Sequence, residues 1–167
     1  MDLICSQHFW QYSINRYSLE TVKNALINLQ DEFGINVNLV LFIMYLSHQG
    51  VFITERLVLE LRQAIEELDS LVTIQRHKRR ALKNLDKLKY QQALAEELDM
   101  EKAIQATLVN SFNDLIDNKN KALQDPLDSL ACLSTGDLAK MPRLSSLLPR
   151  LSSLLKLLAE NTTAHDL

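Results

Sequence analysis

The chain has 167 residues, 47% of them hydrophobic, which suits one domain with a real core and excludes disorder along its whole length. A net charge of −3 gives no global case for a nucleic-acid or membrane protein. Three glycines and three prolines, none lying between Val51 and Asp125, point to helices joined by short polar links and away from a sheet.

The first helix is expected over about 6–16, with Phe9, Trp10, Ser13 and Tyr17 near one face. Ser18 has the chemistry to cap the next helix, although Thr21 stands where a capping-box Glu would complete the motif. Leu19, Val22, Leu26, Leu29 and Phe33 follow at three- and four-residue steps, an amphipathic helix that Gly34 ends as a left-handed cap. Asn36 or Asn38 can cap a third helix at about 37–49, which carries the apolar run Leu39 to Leu46 and ends at Gly50. That run is apolar all round and so reads as buried on most sides. A buried strand is the alternative; the length and the glycine-bounded ends favour the helix.

Thr54 caps a fourth helix bearing Leu57, Leu61, Ala64, Ile65 and Leu68. Asp69-Ser70 is expected to interrupt or bend the chain, with a basic helix following from about Leu71 to Leu85, and periodicity leaves open whether 54–116 forms two long arms or four shorter pieces. Another helix starts near Asp86 or Tyr90 and continues to about Ile116, with a candidate break at Asp99. A single helix from Thr54 to Ile116 would span roughly 90 Å, too long for a compact domain. Pro126 starts a short helix over Leu127–Leu133. Residues 134–142 read as a linker after a helical domain over 1–133. Residues 143–160 form an amphipathic leucine-rich helix of two heptads, and 161–167 a tail. The heptads pack on the domain or on a partner, being too few to argue a coiled coil.

Five cations of the basic helix, Arg76, Arg79, Arg80, Lys83 and Lys87, are candidate partner or phosphate contacts, since most of them share a helical face. The competing reading pairs them internally with Glu60, Glu66, Glu67 and Asp69 or with Glu96, Glu97, Asp99 and Glu101. Tyr90 is the only nearby ring, which weakens a single-strand stacking site. Glu97 and Glu101 share a face, but no Glu-x-x-His motif accompanies them, and the four histidines lack metal-ligand spacing. No metal site, cofactor or catalytic set is expected: nucleophile elbow, phosphate-cradling loop and dinucleotide fingerprint are all missing. Trp10, Tyr12 and Tyr17 either line a surface groove or belong to the core. Asn38, at the mouth of the apolar helix, is a candidate buried polar bridge.

Cys5 and Cys132 form no framework, so both are expected as reduced thiols of a cytoplasmic protein. The opening MDLICSQHFW lacks a secretory pattern, and Leu39–Leu46 is far short of the roughly 20 residues of a membrane span.

Phe9-Trp10, Tyr17, Val22, Leu29-Gln30-Asp31, Gly34, Val37-Asn38-Leu39 and Leu41-Phe42 resemble the opening of a small proteobacterial family of conserved hypothetical proteins. Arg76, Arg79-Arg80, Leu82-Lys83, Tyr90, Glu97-Leu98 and Glu101 extend the likeness, which covers about 9–108 and departs at Leu94, where a lysine is expected. The resemblance implies an α-helical cytoplasmic bacterial protein and brings no activity with it. The expectation is an all-α, single-domain bundle of about six or seven helices with its central apolar helix at about 37–49. Its expected function is non-enzymatic interaction with a protein partner, the alternative being RNA or nucleoprotein association through the basic helix at about 76–89.

Overall fold

The computed structural model describes residues 3–51 and 54–124, and these form five helices and no strand. The helices are α1 (Ser6–Tyr17), α2 (Glu20–Phe33), α3 (Val37–His48), α4 (Glu55–Leu82) and α5 (Lys87–Gln124). Contacts divide the chain into one compact unit, Met1–Leu115, and a second, Ile116–Leu167, of which the described part is the end of α5. The expected short helix at Leu127–Leu133, the linker and the leucine-rich heptads lie outside the described residues.

In the first unit α3 is the centre. Every residue from Asn38 to Leu46 is buried, and α1, α2 and α4 all pack on this helix. The absence of a polar face between Leu39 and Leu46 drives that placement, because no side of the run gains by facing water. Phe9 of α1, fully buried, meets Phe42 edge-on at 4.8 Å between ring centroids and lies 5.5 Å from Tyr45. Leu26 from α2, Leu61, Ile65 and Val72 from α4, and Ile104, Leu108 and Val109 from α5 are also fully buried.

Several helix ends follow local chemistry, whereas α1 and α2 start without a side-chain cap bond. Gly34 closes α2 at φ 64° with its N–H on the Gln30 carbonyl. The Asn36 side chain accepts from the backbone N–H groups of Asn38 and Leu39 to start α3, and Thr54 accepts from that of Leu57 to start α4. Asp86 accepts from Leu88 and Lys89 at the start of α5. Ser18 does not cap α2, contrary to expectation. Its backbone is αR, continuing α1, and its hydroxyl donates back to the Asn15 carbonyl, so Leu19 occupies the cap position without a side-chain bond.

No break occurs at Asp69-Ser70 or at Asp99, so of the two arrangements left open for 54–116 the structure has the two long arms, and five helices stand in the described residues where six or seven were expected over the whole chain. α4 continues unbroken through Asp69-Ser70: the hydroxyls of Ser70 and Thr73 donate to the carbonyls four residues back, and the Asp69 carboxylate accepts from Asn36 at 2.7 Å. α5 passes Asp99 unbroken, with that side chain exposed and paired to Lys102 at 3.0 Å. A mid-helix Asp costs only a fraction of a kcal/mol, roughly 0.7 at most, too little to break a helix whose other face is packed.

The start of the unit is tied down by an amide. Asn113 of α5 accepts from the Ile4 N–H at 2.9 Å and donates to the Ile4 carbonyl at 3.0 Å.

Candidate functional site

The short link after Leu82 returns α5 antiparallel to α4, so the arginines of one helix meet the acids of the other. Arg76 bonds Glu101 and lies 3.5 Å from Glu97. Arg79 holds Glu97 through two bonds, Nε on Oε2 and Nη2 on Oε1 at 3.3 Å. Glu97 is 9% exposed, so the group sits in reduced dielectric, and the bond to Glu97 holds the Arg79 guanidinium more firmly charged despite the opposing effect of burial. Lys78 pairs with Glu96 at the surface, and Gln75 donates to both Glu96 and the Ala93 carbonyl.

Amides extend this network to α3. Glu101 accepts from Arg76 on Oε1 and from Asn38 Nδ2 on Oε2, and Gln105 Nε2 donates to Asn38 Oδ1 at 2.8 Å. The carboxylate can only accept, so Asn38 must turn its nitrogen toward Glu101 and its oxygen toward Gln105, which fixes Gln105 in turn. Gln105 Oε1 is left buried with no partner among the described residues.

This network floors a cleft of about 650 Å³. Its other lining is largely apolar and aromatic: Trp10, Ile14 and Tyr17 of α1, Leu41 of α3 and Leu98 of α5. Ile14 and Leu98 are 46% and 48% exposed, so the mouth opens to solvent. Burial, reinforced by the Glu101 charge, raises the Tyr17 hydroxyl above its usual value. Lys102 lies 5.9 Å from the Trp10 ring centroid.

The five candidate cations therefore part company. Arg76, Arg79 and Arg80 line the cleft, the first two being engaged by acids; Arg80 lies 3.9 Å from Asp31 of α2, with both side chains 55% exposed. Lys83 and Lys87 are exposed, without an ion pair among the described residues. Trp10 and Tyr17 line the cleft, whereas Tyr12 stacks against His48 and lies beside Tyr45. Gln75, Gln105 and Asn113 were not singled out from sequence, because a glutamine or asparagine within a helix gives no local sign of a distant partner.

No three His, Cys, Asp or Glu side chains among the described residues are grouped to hold a metal, and no described helix is long and apolar enough to cross a membrane. Cys5 is a free, exposed thiol.

The sequence profile of a family described as "Protein of unknown function (DUF2390)" matches residues 8–108, more than half of the chain. The chain belongs to that family. All cleft-lining residues fall inside the DUF2390 span, whereas Asn113 and the heptads lie beyond it. No curated protein and no solved structure matches the chain.

Proposed function

We propose that this DUF2390 chain is a non-enzymatic helical interaction module that docks a protein partner in the cleft, in a bacterial cytoplasm. The observation that carries the reading is an open apolar mouth, Ile14 and Leu98 with Trp10 and Tyr17 behind them, set over a charged floor already paired. Apolar side chains left half in water gain free energy when a partner covers them, and a floor fixed by its own bonds loses little freedom on binding. The same pairing argues against the nucleic-acid alternative. Arg76 and Arg79, central to a phosphate-tracking face, would have to leave Glu101 and Glu97 to neutralise a backbone.

The test is co-purification with the wild-type chain and with Ile14→Asp/Leu98→Asp, with and without nuclease, at low and high salt. A protein partner that survives nuclease and is lost from the double variant is the expected result. Capture that disappears with nuclease, or that the double variant retains, overturns the reading. Both substituted positions are exposed, so the fold should change by no more than about 0.5 kcal/mol per site.

A further inference from the structure

Charge bookkeeping within the cleft separates Arg80 from its neighbours. Three guanidiniums line the space, Arg76, Arg79 and Arg80, against two carboxylates, Glu97 and Glu101. Both carboxylates are bound to Arg76 or Arg79. The Arg80 guanidinium makes no hydrogen bond among the described residues, and its ion pair with Asp31, at 3.9 Å, is outside hydrogen-bonding reach. A planar fork of N–H donors, charged at any physiological pH, thus stands available at the edge of an apolar cleft.

Resting on the docking reading above, we infer that the cleft takes a partner segment that combines a bulky apolar side chain with a carboxylate, the apolar group between Trp10 and Leu98 and the carboxylate on Arg80. One cation held only by a long, exposed ion pair favours a single negative charge, and the guanidinium fork matches a carboxylate with two parallel bonds. A phosphodiester strand carries repeated charges, and Arg76 and Arg79 are already engaged by Glu101 and Glu97 and so are not free to neutralise them. Beyond Arg80, Lys83 and Lys87 keep the approach positive. By sequence the 143–160 stretch of this chain carries Arg143, Arg150 and Lys156 against the single acid Glu160, a positive balance that suits it poorly to a site with an arginine at its edge.

A displayed library of random heptapeptides, panned on the full-length protein, tests the inference directly. Trp10 is the only tryptophan in the chain, so its fluorescence can follow the binding of selected tryptophan-free peptides. The expected consensus pairs a large apolar residue with Asp or Glu. Changing that acid to its amide, or Arg80→Gln in the protein, should weaken binding on the order of tenfold, with Arg80→Lys partly restoring it. Peptides that bind and are lost with Leu98→Asp, yet carry no acid or ignore Arg80→Gln, overturn the carboxylate assignment and leave the docking reading standing. Absence of enrichment, or enrichment indifferent to both Leu98→Asp and Arg80→Gln, removes the docking reading itself.

Discussion

Asn38 shows how one amide can be held by its neighbours' chemistry. Its nitrogen faces a carboxylate and its oxygen a glutamine amide. Asn38→Asp keeps the shape and replaces the donor by an anion against Glu101, 4% exposed and without room to turn away. Urea denaturation should show a loss on the order of 3 kcal/mol, in line with an unpaired buried charge, easing as the pH falls and the new carboxyl protonates. Gly34 is the contrasting case. Nothing lies within 4 Å of where its Cβ would be, so Gly34→Ala pays only for the backbone at φ 64°, about 1 kcal/mol in the same measurement, and Gly34→Asn less. The glycine cap was legible in sequence because a cap is local. The Asn38 network was not, because its members lie 63 and 67 residues away along the chain.

Among the elements, the α4–α5 hairpin is the one whose register sequence could not supply. Periodicity places arginines on one face of α4 and glutamates on α5, but the pairing of Arg79 with Glu97 and Arg76 with Glu101 depends on where the turn falls. The continuity of α4 stayed open in the sequence for a related reason: Asp69 looks like a breaker until Asn36 is placed opposite it. Glu97 joins the two helices through both arginines, so Glu97→Ala should cost on the order of 3 kcal/mol, leaving two part-buried guanidiniums short of an acceptor. Glu96→Ala, whose Lys78 partner is more than half exposed, should cost under about 1 kcal/mol by thermal denaturation. Equal losses for the two variants would contradict this account of the hairpin.

At the scale of the whole molecule, three tyrosines on α1 and α3 link folding to alkaline pH. Burial raises the hydroxyls of Tyr12, Tyr17 and Tyr45, joined at Tyr17 by the Glu101 charge and at Tyr45 by that of Cys5. Above the ordinary value of 10.0 the unfolded chain releases these protons before the folded one does, so the unfolded state gains. Stability should be flat in this respect below pH 10 and fall as the pH rises further. Denaturant midpoints measured through that range, with Tyr12→Phe and Tyr17→Phe each flattening the decline, provide the check. The all-helical architecture was readable because α2 declares itself by its apolar period and α3 by its length and its glycine-bounded ends. The cleft was not, since it exists only where five helices converge.

The burial of α3 also has a kinetic side. Leu39 to Leu46 is a run without charge, proline or glycine, rich in β-branched and aromatic residues, and in the folded chain every one of its side chains is shielded. Released by unfolding, the same eight residues match the composition of segments that pair between chains as cross-β stacks. Heating should therefore yield aggregates whose onset moves to lower temperature as protein concentration rises. A Tyr45→Lys chain, less stable but carrying a gatekeeper charge, should unfold earlier and yet recover more completely on cooling.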